Sequence, residues 1–233
     1  MLIAGTLFLT ACGHKQRPRI ANVPPPPPSS TSPRGTSTTA EAPPIIVPKH
    51  AKPIYVETGL ASWYGPPYHN RKGANGQVYD MNAATAAHRT IPLNSIARVT
   101  NIASGRSVLV RITDRGPFIE GRILDLSLAA AKEIDVWRPG VARVKVEVLE
   151  SPAPIEEGGR WCVQIGAFTD TDQATKLKEK LARRYHTAKV QQFAGPTGEW
   201  LRIRVAEDDK RRAEQLASET RTSEGAVFLV RLD

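Results

Sequence analysis

Three acid-base side chains stand at predicted strand ends: Asp114 in Thr113-Asp114-Arg115-Gly116-Pro117-Phe118, His88 in Thr85-Ala86-Ala87-His88-Arg89-Thr90, and Asp80 in Val78-Tyr79-Asp80-Met81. Loops at strand ends are where a rigid scaffold presents reactive groups. A carboxylic acid there can protonate a leaving oxygen and later take a proton back, provided its pKa lies near the working pH. For Asp114 this requires a rise above the ordinary carboxylate value. Partial burial or the charge of Asp80 would raise it, whereas Arg115 and a protonated His88 would oppose the rise. Taken alone, Asp114 ahead of Arg115-Gly116-Pro117 reads equally well as a turn-capping residue. His88 alone reads as a hydrogen-bonding residue that orients a neighbour. His14, His50, His69, His88 and His186 show no metal-ligand spacing with Cys12 and Cys162, so neither a metal nor a cofactor is expected.

The elements that must carry these groups are short strands. Composition changes at Gly59, where Gly59-Leu60-Ala61-Ser62-Trp63-Tyr64-Gly65 opens a strand. Ile96 to Asn101 and Ser107 to Thr113 read as a hairpin around the turn Ala103-Ser104-Gly105. Val141 to Leu149 alternates Val144, Val146 and Val148 inward against Arg143, Lys145 and Glu147 outward. Residues 59–150 therefore predict a small barrel, with short helices only near Asn82 to Ala87 and, capped by Ser127, from Leu128 to Ile134. Trp63, Tyr64, Tyr68 and Tyr79 offer faces on which a sugar could stack, although aromatics in short strands also serve as core, and Tyr79 is expected to be packed.

Residues 151–159 form a Pro- and Gly-containing linker, after which residues 160–233 predict a second domain. Its order is βαββαβ: a strand with Trp161, Val163 and Ile165, a helix with Ala174, Leu177, Leu181 and Tyr185, a hairpin around Gly195-Pro196-Thr197-Gly198, a helix with Ala213 and Leu216, and a last strand from Ala226 to Leu232. That order is ferredoxin-like. If Val163, Ile165, Leu201, Ile203 and Val205 face the helices, then Gln164, Trp200, Arg202 and Arg204 share the open sheet face, where an aromatic beside hydrogen-bond donors suits a sugar.

The first 58 residues are different in kind. Met1 to Ala11 is an apolar run too short to span a bilayer and reads as a signal peptide whose basic end is missing, so the natural start is expected upstream. Leu9-Thr10-Ala11-Cys12 resembles the bacterial lipobox, which implies a lipid on Cys12, an anchored protein facing the periplasm, and a slight preference for the outer membrane. Residues 12–58, with Pro24 to Pro28, cannot bury enough apolar surface to fold and predict an extended spacer. The formal charge of +9 is spread thinly: 6 basic against 2 acidic groups in residues 1–58, 12 against 8 in residues 59–150, and 14 against 13 in residues 151–233. Nucleic acid is not an expected partner, because no basic stripe interleaves with aromatics.

GLASWYG, ANGQVYDM, TAAHRT, RVTN, GRSVLVRITDRGPF and GRILDLSLAAA, between Gly59 and Leu149, resemble the rare lipoprotein A (RlpA) family. The resemblance implies a six-stranded double-psi β-barrel and lytic cleavage of peptidoglycan, preferring glycan strands stripped of stem peptides. It assigns the central acid to Asp114, the motif histidine to His88 and a second carboxylate to Asp80. The chain departs from the family at Gln77, where Glu is common; Gln can hydrogen-bond a sugar hydroxyl but cannot exchange a proton at neutral pH. The alternative is therefore a non-catalytic glycan binder or septal scaffold, akin to the expansin-like use of the same barrel. Trp161-Cys162-Val163-Gln164-Ile165-Gly166-Ala167-Phe168 and Trp200-Leu201-Arg202-Ile203-Arg204-Val205 resemble the SPOR domain, which implies binding of denuded glycan, with cell-division proteins as possible partners.

Overall fold

The computed structural model describes residues 45–48, 51–195, 197–222 and 224–233. The signal-like run, Cys12 and most of the Pro-rich spacer lie outside the described residues.

Six strands close into a barrel: β1 (Tyr55–Trp63), β2 (Thr85–His88), β3 (Ile96–Asn101), β4 (Ser107–Asp114), β5 (Arg122–Leu126) and β6 (Val141–Glu150). Their order around the barrel is β1-β5-β2-β4-β3-β6. The pairs β1·β5 and β2·β4 are parallel, the rest antiparallel. This is a double-psi β-barrel. β3 and β4 form the expected hairpin, with Val99 opposite Val108 and Ala97 opposite Val110, all inside the core. Val144, Val146 and Val148 fill the same core from β6. A short helix, α1 (Leu128–Glu133), starts where Ser127 Oγ accepts the Ala130 N–H at 3.2 Å, a cap of roughly 1 kcal/mol.

Two expectations need correction. The stretch from Asn82 to Ala87 is not helical. Its second half is β2, buried at all four positions and paired with β4 on one side and β5 on the other. Alanine's helix propensity loses here to a barrel interior in which Ala86 is wholly enclosed. The first strand also begins before Gly59, because Tyr55 to Thr58 continue the ladder with β6 from Tyr55↔Val148 onward.

The second domain runs β7 (Trp161–Phe168), α2 (Thr171–Arg184), β8 (Lys189–Gly195), β9 (Gly198–Arg204), α3 (Lys210–Glu219) and β10 (Ala226–Arg231). Its antiparallel sheet has the order β10-β7-β9-β8. Asp170 and Asp209 cap α2 and α3 with their carboxylates. The helices pack Ala174, Leu181, Ala213 and Leu216 onto Val163, Ile165, Leu201 and Ile203, so one sheet face is apolar core, as the alternation requires.

The opposite sheet face is partly covered. Phe118, from the loop after β4, sits in one apolar cluster with Cys162, Trp200, Phe228 and Val230. Its ring lies 5.7 Å from that of Trp200 and 5.8 Å from that of Phe228, centroid to centroid. Main-chain bonds join the domains beside it: Arg231 N–H to Arg89 O at 2.9 Å and Leu93 N–H to Asp233 O at 3.2 Å. The Arg231 guanidinium, only 1% exposed, donates to Pro154 O and pairs with Asp233. It lies so near the linker that a Cβ at Gly159, where φ is +76°, would come within 2.6 Å of it, and only glycine fits.

Candidate active site

Asp114 ends β4 at 4% exposure. Its Oδ1 accepts two main-chain N–H groups, from Arg115 at 2.8 Å and from Ala74 at 3.0 Å. Ala74 belongs to a tight turn folded over the carboxyl: Gly73 N–H bonds Gln77 O at 2.8 Å, and Asn75 N–H bonds Thr113 O at 3.1 Å. Gly73 comes close enough that a Cβ there would stand 3.6 Å from the Asp114 carboxyl carbon and 3.1 Å from Thr113 O. Burial dominates the electrostatics and pushes the Asp114 pKa up to about 7. The two N–H bonds and the Arg115 charge oppose this, and the charge of Asp125 adds to it. An acid poised near neutrality can both give and take a proton.

Asp125 is the carboxylate that sequence reading did not single out. It is 2% exposed in β5 and accepts Ser62 Oγ–H at 2.6 Å, with an Arg122 guanidinium nitrogen 3.5 Å away. Burial raises its pKa too, against Arg122 and Ser62. Asp80, expected to supply the neighbouring charge, instead stands on the surface, its side chain 54% exposed beside His69. It caps the Asn82 N–H at 2.9 Å. The like charge acting on Asp114 therefore comes from Asp125. Alternation gave no signal for it, since Leu124 and Leu126 take the core face and Asp125 between them reads as facing outward.

His88 is buried, and both its ring nitrogens are engaged. Nδ1 accepts the N–H groups of Thr90 and Ile91 at 3.1 and 3.0 Å, so the ring proton sits on Nε2, 3.0 Å from Glu57 Oε2. Burial lowers the His88 pKa in spite of Glu57. Burial alone would raise Glu57, but hydrogen bonds from His88 and Tyr55 hold it below the usual range. The ring thus fixes the turn at Thr90 and Ile91. The effect reaches Asp114 through the backbone: His88 O and Ile91 O receive the Arg115 guanidinium at 3.0 and 2.7 Å, and Arg115 N–H bonds Asp114. Burial brings Arg115 down to about 10.

Gln77 is exposed on the turn above Asp114, where Asn75 Nδ2 donates to its Oε1 at 3.0 Å and to Asn94 Oδ1 at 3.3 Å. These amides line the rim. Among the aromatics, Tyr64 is only 4% exposed, stacked on Tyr79 at 4.3 Å, and presents no free face to a sugar. Tyr79 is packed as expected, its hydroxyl donating to Tyr64 O. Trp63 is partly buried and donates to Trp137 O at 3.2 Å. Tyr68 keeps partial exposure near Asp125, whose charge, after burial, lifts its pKa to about 12.

In the second domain the expected glycan face is corrected in the same way. Trp200 and Gln164 are 2% and 1% exposed beneath the barrel. Arg202 is partly buried, donates to Gln164 Oε1 at 3.3 Å and lies over Phe193. Arg204 keeps substantial exposure and pairs with Asp208.

Residues 56–146 match the model of a family described as lytic transglycolase, and residues 157–231 match that of the SPOR domain. The chain is similar to an endolytic peptidoglycan transglycosylase RlpA of Campylobacter jejuni, 41% identical over 153 residues, which are 55% of this chain and 54% of that protein. It is likewise similar to proteins of the same name from Neisseria meningitidis serogroup B, 41% identical over 59% of each chain, and from Pseudomonas aeruginosa, 50% identical over 48% of this chain and 31% of that one. The chain spans little more than half the length of the first two relatives. The chain thus carries, in this order, a barrel that matches the lytic transglycolase family model and a domain that matches the SPOR model, and it is similar in sequence to proteins named RlpA.

Proposed function

We propose that the barrel is a lytic transglycosylase that breaks the bond between MurNAc and GlcNAc in peptidoglycan, on glycan strands free of stem peptides. The observation that carries this reading is the state of Asp114: enclosed, raised to about 7, and held by two N–H groups on a single oxygen. Protonated Asp114 gives its proton to the glycosidic oxygen as the C1–O bond breaks. The resulting carboxylate takes the proton of the MurNAc C6 hydroxyl, whose oxygen closes onto C1. The products are a free GlcNAc hydroxyl and a 1,6-anhydro-MurNAc end, and no water is consumed. The SPOR domain supplies affinity for the naked strand. A lipid on Cys12, supported by the lipobox-like Leu9-Thr10-Ala11-Cys12, would hold both domains at the periplasmic side of a membrane, the outer one by preference.

The test incubates soluble protein with stem-peptide-free glycan and measures 1,6-anhydro-MurNAc ends by mass spectrometry. Wild type releases them, and Asp114→Asn releases none above background. Equal release by both would overturn the assignment. One observation favours the non-catalytic reading: Gln77 places an amide, which exchanges no proton, on the rim. Release by wild type refutes that reading; release only after Gln77→Glu supports it.

A further inference from the structure

One face of the second domain's sheet is partly covered by the barrel. Strand register places Cys162, Gln164, Trp200, Arg202, Arg204, Phe228 and Val230 on one side. The barrel covers the part nearest β10 with Phe118, itself 4% exposed. The part nearest β8 stays open, where Lys189 and Gln191 are exposed beside Arg204.

The cover leaves polar atoms unmatched beside the main-chain bonds that join the domains. Trp200 Nε1 and Arg202 Nε are buried and find no hydrogen-bond partner among the described residues, and on the barrel side Arg115 Nε is in the same position. Buried donors without acceptors favour any state that supplies them. An indole N–H and a guanidinium on an aromatic floor are the groups that a sugar chain, rich in hydroxyl acceptors and apolar ring faces, satisfies. The covering loop, Arg115 to Phe118, directly follows Asp114, so the same few residues report on both domains.

We propose that the barrel and a denuded glycan strand compete for this sheet face, so that the docked arrangement is a closed state which a naked strand opens. The proposal rests on the reading of the SPOR sheet as the glycan-binding face. The strand lands first on the exposed edge of Arg204, Lys189 and Gln191, then displaces Phe118 from Trp200. Intact docking thereby reduces glycan affinity by the fraction of molecules that are closed.

The test uses the soluble chain, its Phe118→Ala and Phe118→Asp variants, and stem-peptide-free glycan as the probe. Docking is read by hydrogen exchange at the Leu93 amide, which bonds Asp233 across the interface and lies outside the sheet face. Glycan affinity is read by pull-down titration. Removing an enclosed phenyl ring weakens docking roughly tenfold or more, so Phe118→Ala should speed Leu93 exchange and tighten glycan binding by a similar factor. Phe118→Asp, which sets a charge into the apolar cluster, opens the interface if alanine leaves it collapsed. In wild type, added glycan should itself accelerate Leu93 exchange. Faster exchange with unchanged or weaker glycan affinity would overturn the competition while leaving the sheet face a binding site. Absence of glycan binding in wild type and in both variants, with the domains open, would overturn the reading of the sheet face as well.

Discussion

Replacing Asp114 by Asn should stabilise the barrel at alkaline pH while abolishing turnover, and the size of the gain follows from burial. In the folded chain Asp114 titrates at about 7 against an ordinary value of 3.8. Because the folded value is the higher one, the unfolded chain sheds its proton first as pH rises. Stability is therefore lost between about pH 4 and pH 7 and the loss is complete above the folded pKa. A separation of about three pH units corresponds to about 4 kcal/mol at pH 8, to under half of that at pH 5, and to almost nothing at pH 3. An Asn carbonyl can still accept the Arg115 and Ala74 N–H groups that Oδ1 now receives. Asp114→Asn should thus raise the barrel's melting temperature at pH 8 by about 10 °C or more, with the advantage shrinking steadily toward pH 4. The assay is thermal unfolding of both proteins from pH 4 to pH 8. A difference that does not change with pH, or a variant less stable than wild type at pH 8, would show that Asp114 is an ordinary ionised carboxylate and remove the basis for its acid role.

His88→Ala should cost roughly 2–4 kcal/mol by breaking the buried contact with Glu57 and freeing two N–H groups, yet keep the anhydro product per folded molecule within about threefold; full loss of product with unchanged stability would instead make the ring catalytic. Because burial depresses the His88 pKa, the unfolded chain takes the proton first below about pH 6.5, so His88→Gln should lose less stability than wild type on acidification, checked by denaturant midpoints at pH 7 and pH 5. Ser62→Ala removes the 2.6 Å bond to Asp125 and should destabilise the barrel by about 1–3 kcal/mol, read as a lowered denaturant midpoint. Arg231→Met removes the guanidinium that pairs with Asp233 and donates to the linker carbonyls of Pro154 and Ile155; limited proteolysis should then cut between the domains at least several-fold faster, and an unchanged rate would refute the linker-clamping role.

Alternation was enough to place β3, β4 and β6, and with helical spacing it placed the βαββαβ order, while cap chemistry placed the helix start at Ser127, because each is a local pattern. β2 was hidden because Thr85-Ala86-Ala87-His88 is buried on both sides and carries no alternation to read. Glu57 was missed because it precedes the compositional boundary at Gly59, although β1 begins at Tyr55. Asp114 stood out through its loop, whereas Asp125 looked like a polar residue ahead of a helix cap. The two are brought under one electrostatic influence only by the interlocked pairing of β1·β5, β2·β5 and β2·β4. For the second domain, alternation sorted the residues to the correct sheet faces but could not reveal that a phenylalanine 82 positions before Trp200 covers one of them.

The ladder between β1 and β6 joins Tyr55 to Val148, 93 positions apart. No shorter piece of the domain can complete its perimeter, and a chain interrupted before Val141 would expose the unpaired flanks of β1 and β3 together. Such bare flanks template pairing with other chains, and contacts of this sequence separation form late because the intervening loop must close first. The barrel is therefore expected to fold as one slow, all-or-none step, and deletions within residues 141–150 should yield aggregates in place of partially active protein.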